Sequence, residues 1–250
     1  MKLSVIIISK NEAENIQHCL ASVDFADEII VVDSGSTDNT VALAQAAGAI
    51  VIETSDWPGF GPQKNRALNA ASGEWVLSLD ADERVTAELR QEIITAIHSA
   101  TPHVAFSLPR LSSFCGHFIR HSGWYPDTII RLFRRGLGAF SEDLVHEKIL
   151  INQANIGKLT TPLLHYSYRD DSDFLRKLDL YSSLGAQQAF AAGKRSSLRR
   201  ALLSAFTAFI RNYVLKRGFL DGRAGLMVAI SAAESTYHKY LKLMLLAEKA

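Results

Sequence analysis

Over residues 3–134, short apolar, β-rich runs alternate with segments of helical period, and this restricts the chain to βαβ units layered around a mostly parallel sheet. Leu3–Ser9 is apolar at almost every position, as a strand covered on both faces must be. Glu28–Asp33, Ala49–Glu53 and Glu74–Asp80 repeat the pattern, with helix-like segments at Glu14–Val23, Ser36–Gly48 and Pro62–Ala71 between them. Gly48 suits a helix C-cap, and Asp56–Gly61 reads as a Pro/Gly loop. Thr86–Ala100 predicts a longer helix whose Leu89, Ile93, Ile94 and Ile97 share one face. Val104–Leu108 and Thr128–Arg134 predict further strands. From Ser172 the strand signal stops, and the remainder predicts three helices with breaks near Gly193–Ser197 and Gly218–Gly222. The expected division is an α/β body over 1–190 and a helical tail over 191–250.

At 250 residues and 48% hydrophobic composition, the chain can bury one good core and a small appendage. Charge is uneven: residues 1–193 carry 16 basic and 23 acidic side chains, whereas 194–250 carry 11 basic and 3 acidic. A body of net negative charge argues against nucleic acid as its ligand, because duplex binding needs a continuous cationic face. The apolar run Ala201–Ile210 is bracketed by Arg195, Arg199 and Arg200 before it and by Arg211, Lys216 and Arg217 after it. Such a helix suits an anionic membrane surface; it equally suits packing on the body with its arginines in water. No run of about 18 apolar residues occurs, so no transmembrane helix is expected. Met1–Ile8 turns polar too soon for a signal peptide, and Cys19 and Cys115 offer no disulfide framework, so a reducing cytoplasm is the expected compartment.

Open α/β sheets bind ligands in loops beyond the carboxyl ends of their strands. Three such loops are polar here: Ser9-Lys-Asn-Glu12, Asp33-Ser-Gly-Ser-Thr-Asp38 and Asp80-Ala-Asp-Glu83. They are expected to converge on one cleft. Asp80 and Asp82 offer hard oxygen ligands for Mg2+ or Mn2+, the ions that accompany a diphosphate leaving group; alone, the motif fits a helix-capping turn as well. The Asp33 loop groups donors and acceptors that suit a nucleoside. A dinucleotide-dependent dehydrogenase is disfavoured, since no Gly-x-Gly-x-x-Gly follows the first strand.

In combination, Ser4-Val-Ile-Ile-Ile-Ser-Lys-Asn-Glu12, Ile30-Val-Val-Asp-Ser-Gly-Ser-Thr-Asp38, Gln63-Lys-Asn-Arg-Ala67 and Leu79-Asp-Ala-Asp-Glu83 resemble glycosyltransferase family 2, which has the GT-A nucleotide-sugar fold. Gly123-Trp-Tyr-Pro-Asp127, Arg131-Leu-Phe-Arg-Arg135, Val145-His-Glu147 and Gly218-Phe-Leu-Asp-Gly222 resemble its lipopolysaccharide-core β-1,4-glucosyltransferase subgroup. The resemblance implies a GT-A catalytic domain with a C-terminal helical extension. It implies that Ser9, Glu12 and Asp33 hold uracil and ribose, with Lys64 and Asn65 near the nucleotide. Asp80 would meet the ribose or the metal, and Asp82 would ligate the metal directly.

An inverting transfer also needs a carboxylate to take the acceptor proton. Ser141-Glu-Asp-Leu-Val-His-Glu147 offers Glu142, Asp143 and Glu147; the subgroup pattern favours Glu147, with Asp143 as runner-up. His146 could orient the acceptor or be an ordinary hydrogen-bonded residue, and His165 carries less weight. Arg131, Arg134 and Arg135 suit diphosphate or an acceptor phosphate, or a solvated strand end. Trp124 and Tyr125 suit stacking on a sugar or core packing. The implied reaction is glucose transfer from a UDP-sugar donor to a heptose on a lipid-linked saccharide acceptor, at the cytoplasmic face of the inner membrane. Other family 2 acceptors and a catalytically silent nucleotide-sugar-binding protein are the competing readings.

Overall fold

The computed structural model describes residues 2–141, 148–151 and 155–248. The chain begins with β1 (Leu3–Ser9), α1 (Ala13–Ala21), β2 (Glu28–Asp33), α2 (Thr40–Ala46), β3 (Ile50–Glu53), α3 (Phe60–Ala70) and β4 (Trp75–Asp80). Then come β5 (Glu83–Arg84), α4 (Ala87–His98), β6 (Ala105–Phe114), β7 (His117–Phe118) and β8 (Asp127–Arg134). β9 (Gly138–Phe140), β10 (Ile149–Ile151), β11 (Ile156–Lys158) and β12 (Leu163–Tyr168) complete the strands. The helices α5 (Asp171–Ala191), α6 (Leu198–Ile210) and α7 (Gly222–Glu248) follow; a π-turn at Arg211–Leu215 and a 3₁₀ turn at Gly218–Asp221 join the last two.

The main sheet has the order β3-β2-β1-β4-β8-β6-β12-β5. Its first four strands are parallel, as the βαβ alternation requires, and β8 then pairs antiparallel to both β4 and β6. Every residue of β1 is buried because strands flank it on both edges and helices cover both faces. Leu3, Val5 and Ile7 enter one apolar cluster with Ile16, Cys19 and Leu20 of α1 and Leu89, Ile93 and Ile97 of α4. Ile6 and Ile8 enter the opposite cluster with Ala67 and Leu68 of α3. The period of two in β1 thus feeds two helical layers.

The chain forms two compact units. One comprises 1–110 and 127–165, the other 111–126 and 166–250. The units are discontinuous in sequence and do not follow a single cut at residue 190. In the second unit Phe114, Ile119, Phe174, Leu178, Ala224 and Val228 form an apolar cluster. Asp170 caps α5 by accepting the Asp173 N–H at 2.8 Å, and Ser197 caps α6 by accepting that of Arg200 at 3.3 Å. Gly225 has a steric role, since a Cβ there would stand 1.8 Å from the Gly218 carbonyl oxygen.

Among the described residues, no helix is long and apolar enough to cross a membrane. Two boundaries of the expected elements in the α/β part differ by more than two residues from the sequence expectation. α2 starts at Thr40 instead of Ser36, because the Asp33 and Asp38 side chains accept the Ser36 and Thr40 amides and hold 36–39 in turns. β6 runs to Phe114, six residues past Leu108, through a register shift at Phe106/Ser107.

Candidate active site

The register of the parallel strands brings the polar loops together. Ser9 pairs with Asp33 across β1/β2, and Ile8 pairs with Asp80 across β1/β4. At a strand spacing of about 4.8 Å, Asp33 and Asp80 therefore stand roughly 10 Å apart at the same carboxyl edge. The first two loops are bonded to each other: Asn11 N–H donates to Ser36 Oγ at 2.8 Å, Thr37 N–H to Asn11 Oδ1 at 2.8 Å, and Glu12 N–H to Thr40 Oγ1 at 2.8 Å. Asn11 adopts φ 55°, a left-handed conformation that asparagine tolerates well. The Glu12 carboxylate accepts from Asn15 Nδ2 at 2.9 Å.

Asp33 is fully buried and organises its loop. Its Oδ2 accepts from Ser9 Oγ at 2.9 Å and Ser36 Oγ at 2.6 Å, and its Oδ1 accepts the Ser36 amide at 2.7 Å.

The Gln63–Arg66 run of α3 serves four separate points. Buried Gln63 donates to Ser34 Oγ at 2.9 Å and Thr54 Oγ1 at 2.7 Å, fixing the loop after β2. Lys64, also buried, lies 2.8 Å from Asp80 Oδ1. Asn65 bridges both backbone groups of Phe140, donating at 3.0 Å and accepting at 2.9 Å. Arg66 forms a two-point ion pair with Asp56. Lys64 thus faces the cleft, while Asn65 is committed to β9.

Asp80 has a cation on each oxygen, with Arg131 2.5 Å from its Oδ2. Burial alone would raise its pKa; the Arg131 guanidinium and then the Lys64 ammonium outweigh that and hold the carboxyl well below the usual carboxylate range. Arg131 in turn donates to Glu83 at 2.6 Å. Glu83 is fully buried and also accepts the Asp80 amide at 3.0 Å. Burial would lower the Arg131 pKa, but the two carboxylates raise it, so its charge is permanent. Arg110, which lies in none of the sequence motifs, reaches Glu83 at 3.5 Å and pairs with Asp127 at 2.7 Å.

Asp82 differs from Asp80. Its side chain is 23% exposed, and His165 Nε2 lies 3.3 Å from its Oδ2. The antiparallel pairing of β12 with β5 sets His165 opposite Glu83 and so beside the loop. Among the described residues no three His, Cys, Asp or Glu side chains cluster as a metal cage. The part-exposed Asp82 carboxylate is a hard oxygen donor that fits a Mg2+ or Mn2+ ion keeping most of its shell for phosphate and water oxygens, with the His165 imidazole beside it.

Other candidates lie elsewhere. Arg134 pairs in register with Trp75 at the amino end of β4, five residues from Asp80, and stacks on the Trp75 ring at 4.7 Å. Arg135 donates to the Gly73 carbonyl at 2.9 Å. Neither belongs to the carboxyl-edge cleft. Trp124 is half-buried against Phe114 and Tyr168 in the second unit's core, and Tyr125 lies under the Arg120 guanidinium at 5.8 Å. Glu142, Asp143, His146 and Glu147 lie outside the described residues.

An α/β sheet that gathers Ser9, Asp33, Lys64, Asp80 and Asp82 along the carboxyl edge of its parallel strands has the GT-A nucleotide-sugar fold, with a C-terminal helical extension. The chain belongs to glycosyl transferase family 2, whose family model matches residues 4–201. It is 30% identical to the lipopolysaccharide core biosynthesis glycosyltransferase LpsC of Rhizobium meliloti over 258 residues, covering 96% of this chain and 93% of that protein. An uncharacterised glycosyltransferase of Rickettsia typhi is 31% identical over 260 residues, covering 100% of this chain and 89% of the relative. A solved glucosyl-3-phosphoglycerate synthase from Mycobacterium tuberculosis, in complex with Mn2+ and UDP-glucose, matches 45% of this chain and 44% of its own at 27% identity, with a TM-score of 0.38.

Proposed function

We propose that this family 2 enzyme transfers glucose from UDP-glucose, with inversion to a β linkage, onto a heptose of the lipopolysaccharide inner core. The observation that carries the donor half is the register that sets Ser9, Asp33 and Asp80 side by side, with Asp82 two residues beyond. The near full-length likeness to LpsC supports the acceptor half. In this reading 1–190 is catalytic, and the buried Asp33 shapes the nucleoside pocket through Ser9 and Ser36. Glu12 lines that pocket. Lys64 and Arg131 fix Asp80 as an anion facing the ribose.

Asp82 and His165 would hold Mg2+ or Mn2+. When bound, that ion offsets the charge growing on the departing diphosphate. Glu147 takes the acceptor hydroxyl proton as that oxygen attacks the anomeric carbon, with Asp143 as the alternative base and His146 beside it.

The acceptor is lipid-linked, and the tail at 191–250 seats the enzyme on the anionic cytoplasmic face of the inner membrane. The amphipathicity of α6 supports this. Its buried residues are the small Ala201 and Ala208, whereas Leu202, Leu203 and Phe206 are 54%, 68% and 65% exposed. The 41 residues from Leu180 to Leu220 contain seven Lys or Arg and no Asp or Glu. A large apolar face ringed by cations suits an anionic interface.

The deciding assay is incubation with radiolabelled UDP-glucose and a panel of acceptors, followed by linkage analysis. A β-glucosyl product on heptose-containing core lipid is expected. Failure with that lipid alongside transfer to another acceptor would redirect the reading to a different family 2 activity, and UDP-glucose binding without turnover on any acceptor would favour a silent sensor.

A further inference from the structure

Helices α5, α6 and α7 of the second unit surround a cavity of about 560 Å³, within the size range of small-molecule sites. Its lining has two parts. Tyr168, Phe174 and Leu178 form an apolar floor continuous with the unit's core, and Tyr181 and Tyr240 add rings. Around them stand five Ser and Thr hydroxyls and two cations, Arg211 and Lys239.

The cations distinguish this cavity from a packing defect. Two lysines on the same helices, α5 and α7, are neutralised: Lys177 bonds Asp173 at 3.0 Å and Lys242 bonds Asp179 at 2.7 Å. Arg211 and Lys239 have no carboxylate partner among the described residues, and neither does Arg200, whose guanidinium lies 5.2 Å over the Tyr240 ring. A guanidinium fork, an ammonium and several hydroxyls recognise phosphate oxygens, whereas the floor beneath them suits hydrocarbon. Leu203 lines the cavity and also belongs to the exposed outer face of α6. The occupant can therefore enter from the side of the helix that carries the apolar face.

We propose that this cavity binds the phosphate headgroup and the first acyl segment of one anionic lipid. Such a site belongs to the helical unit alone and stands whether or not UDP-glucose is the donor.

The test is calorimetric titration of the full chain with dihexanoyl phosphatidic acid below its micelle concentration, with dihexanoyl phosphatidylcholine and inorganic phosphate as parallel arms. Saturable binding at one site per chain is expected, and it should weaken about ten-fold or more in the Arg211→Gln/Lys239→Gln variant as charge-assisted bonds are lost. Should that pair fail to keep the native far-UV spectrum, each single substitution serves in its place. Phosphatidylcholine and inorganic phosphate should each bind at least about ten-fold more weakly than the acid. Absence of saturable heat, unchanged affinity in the charge variants, or equal affinity for phosphatidylcholine would each overturn the proposal. So would equal affinity for inorganic phosphate, which would mark an anion site without lipid selectivity.

Discussion

The two carboxylates of Asp80-Ala-Asp82 work under different constraints. Asp80 is gripped by Lys64 and Arg131 on its two oxygens, while Asp82 keeps a part-exposed carboxylate beside His165. Asp82→Ala is therefore expected to abolish sugar transfer with an unchanged circular dichroism spectrum; a variant as active as the parent in excess chelator would remove the metal from the mechanism. Arg131→Met should also lower stability, since it leaves fully buried Glu83 with only the 3.5 Å contact of Arg110 and neighbouring Asp80 with Lys64 alone. A loss of about 3–5 kcal/mol in urea unfolding is expected, as when one partner of a buried ion pair is removed. The candidates Asp33, Lys64, Asp80 and Asp82 were legible because each lies in a loop or helix next to a strong strand signal. The placement of His165 beside Asp82 was not, because it depends on β12 pairing with β5, some 80 residues earlier in the chain. The role of Asn65 was also hidden, because its partner Phe140 belongs to a three-residue strand without periodicity of its own.

Among the elements, the long buried strands and their helices announced themselves, since β1, β2 and β4 are continuous apolar runs. β5, β7, β9, β10 and β11 are two or three residues long, too short for any alternation to register. β5 and β11 form by pairing with strands far away in sequence, β12 and β6, whereas β7 pairs with the adjacent end of β6 and β9 with β10. α6 presents the reverse case: its apolar pattern was plain, but only the structure assigns alanines to the inside and leucine and phenylalanine to the outside. Leu202→Ser/Phe206→Ser should therefore reduce co-sedimentation with anionic vesicles while leaving the unfolding midpoint nearly unchanged, because little of either side chain is buried. If sedimentation were unaltered, the membrane seat would have to lie elsewhere. Ser197→Ala removes the α6 cap and should cost about 1 kcal/mol, measurable by thermal unfolding.

For the molecule as a whole, acid stability follows from carboxylates whose pKa values folding lowers. Burial tends to raise that of Glu28, but hydrogen bonds from Ser4, Ser72 and Gly73 outweigh it. Glu92 is lowered in the same way by Thr160 and Thr161, and Asp80 by its cations. Groups with folded pKa values below their unfolded ones add stability that is complete above the unfolded values, near pH 4, and is lost as pH falls through the folded values. Urea midpoints should be flat from about pH 7 to 5 and fall below about pH 4, and Glu28→Gln should shallow that fall.

The chain's division into units was the least legible feature. The strand signal stops by Ser172 and the charge balance turns basic after residue 193, yet 111–126 joins the helices through contacts about a hundred residues away in sequence. Asp221 accepts the His121 amide and lies 2.8 Å from His121 Nδ1, and Ser122 N–H donates to the Lys216 carbonyl. The C-terminal helices are therefore a splint for an earlier excursion of the chain. Shortening the protein at Ala192 would strip that excursion of its mate, so a clipped enzyme that fails to bind vesicles reports a broken scaffold, and only single side-chain exchanges can report lost adhesion.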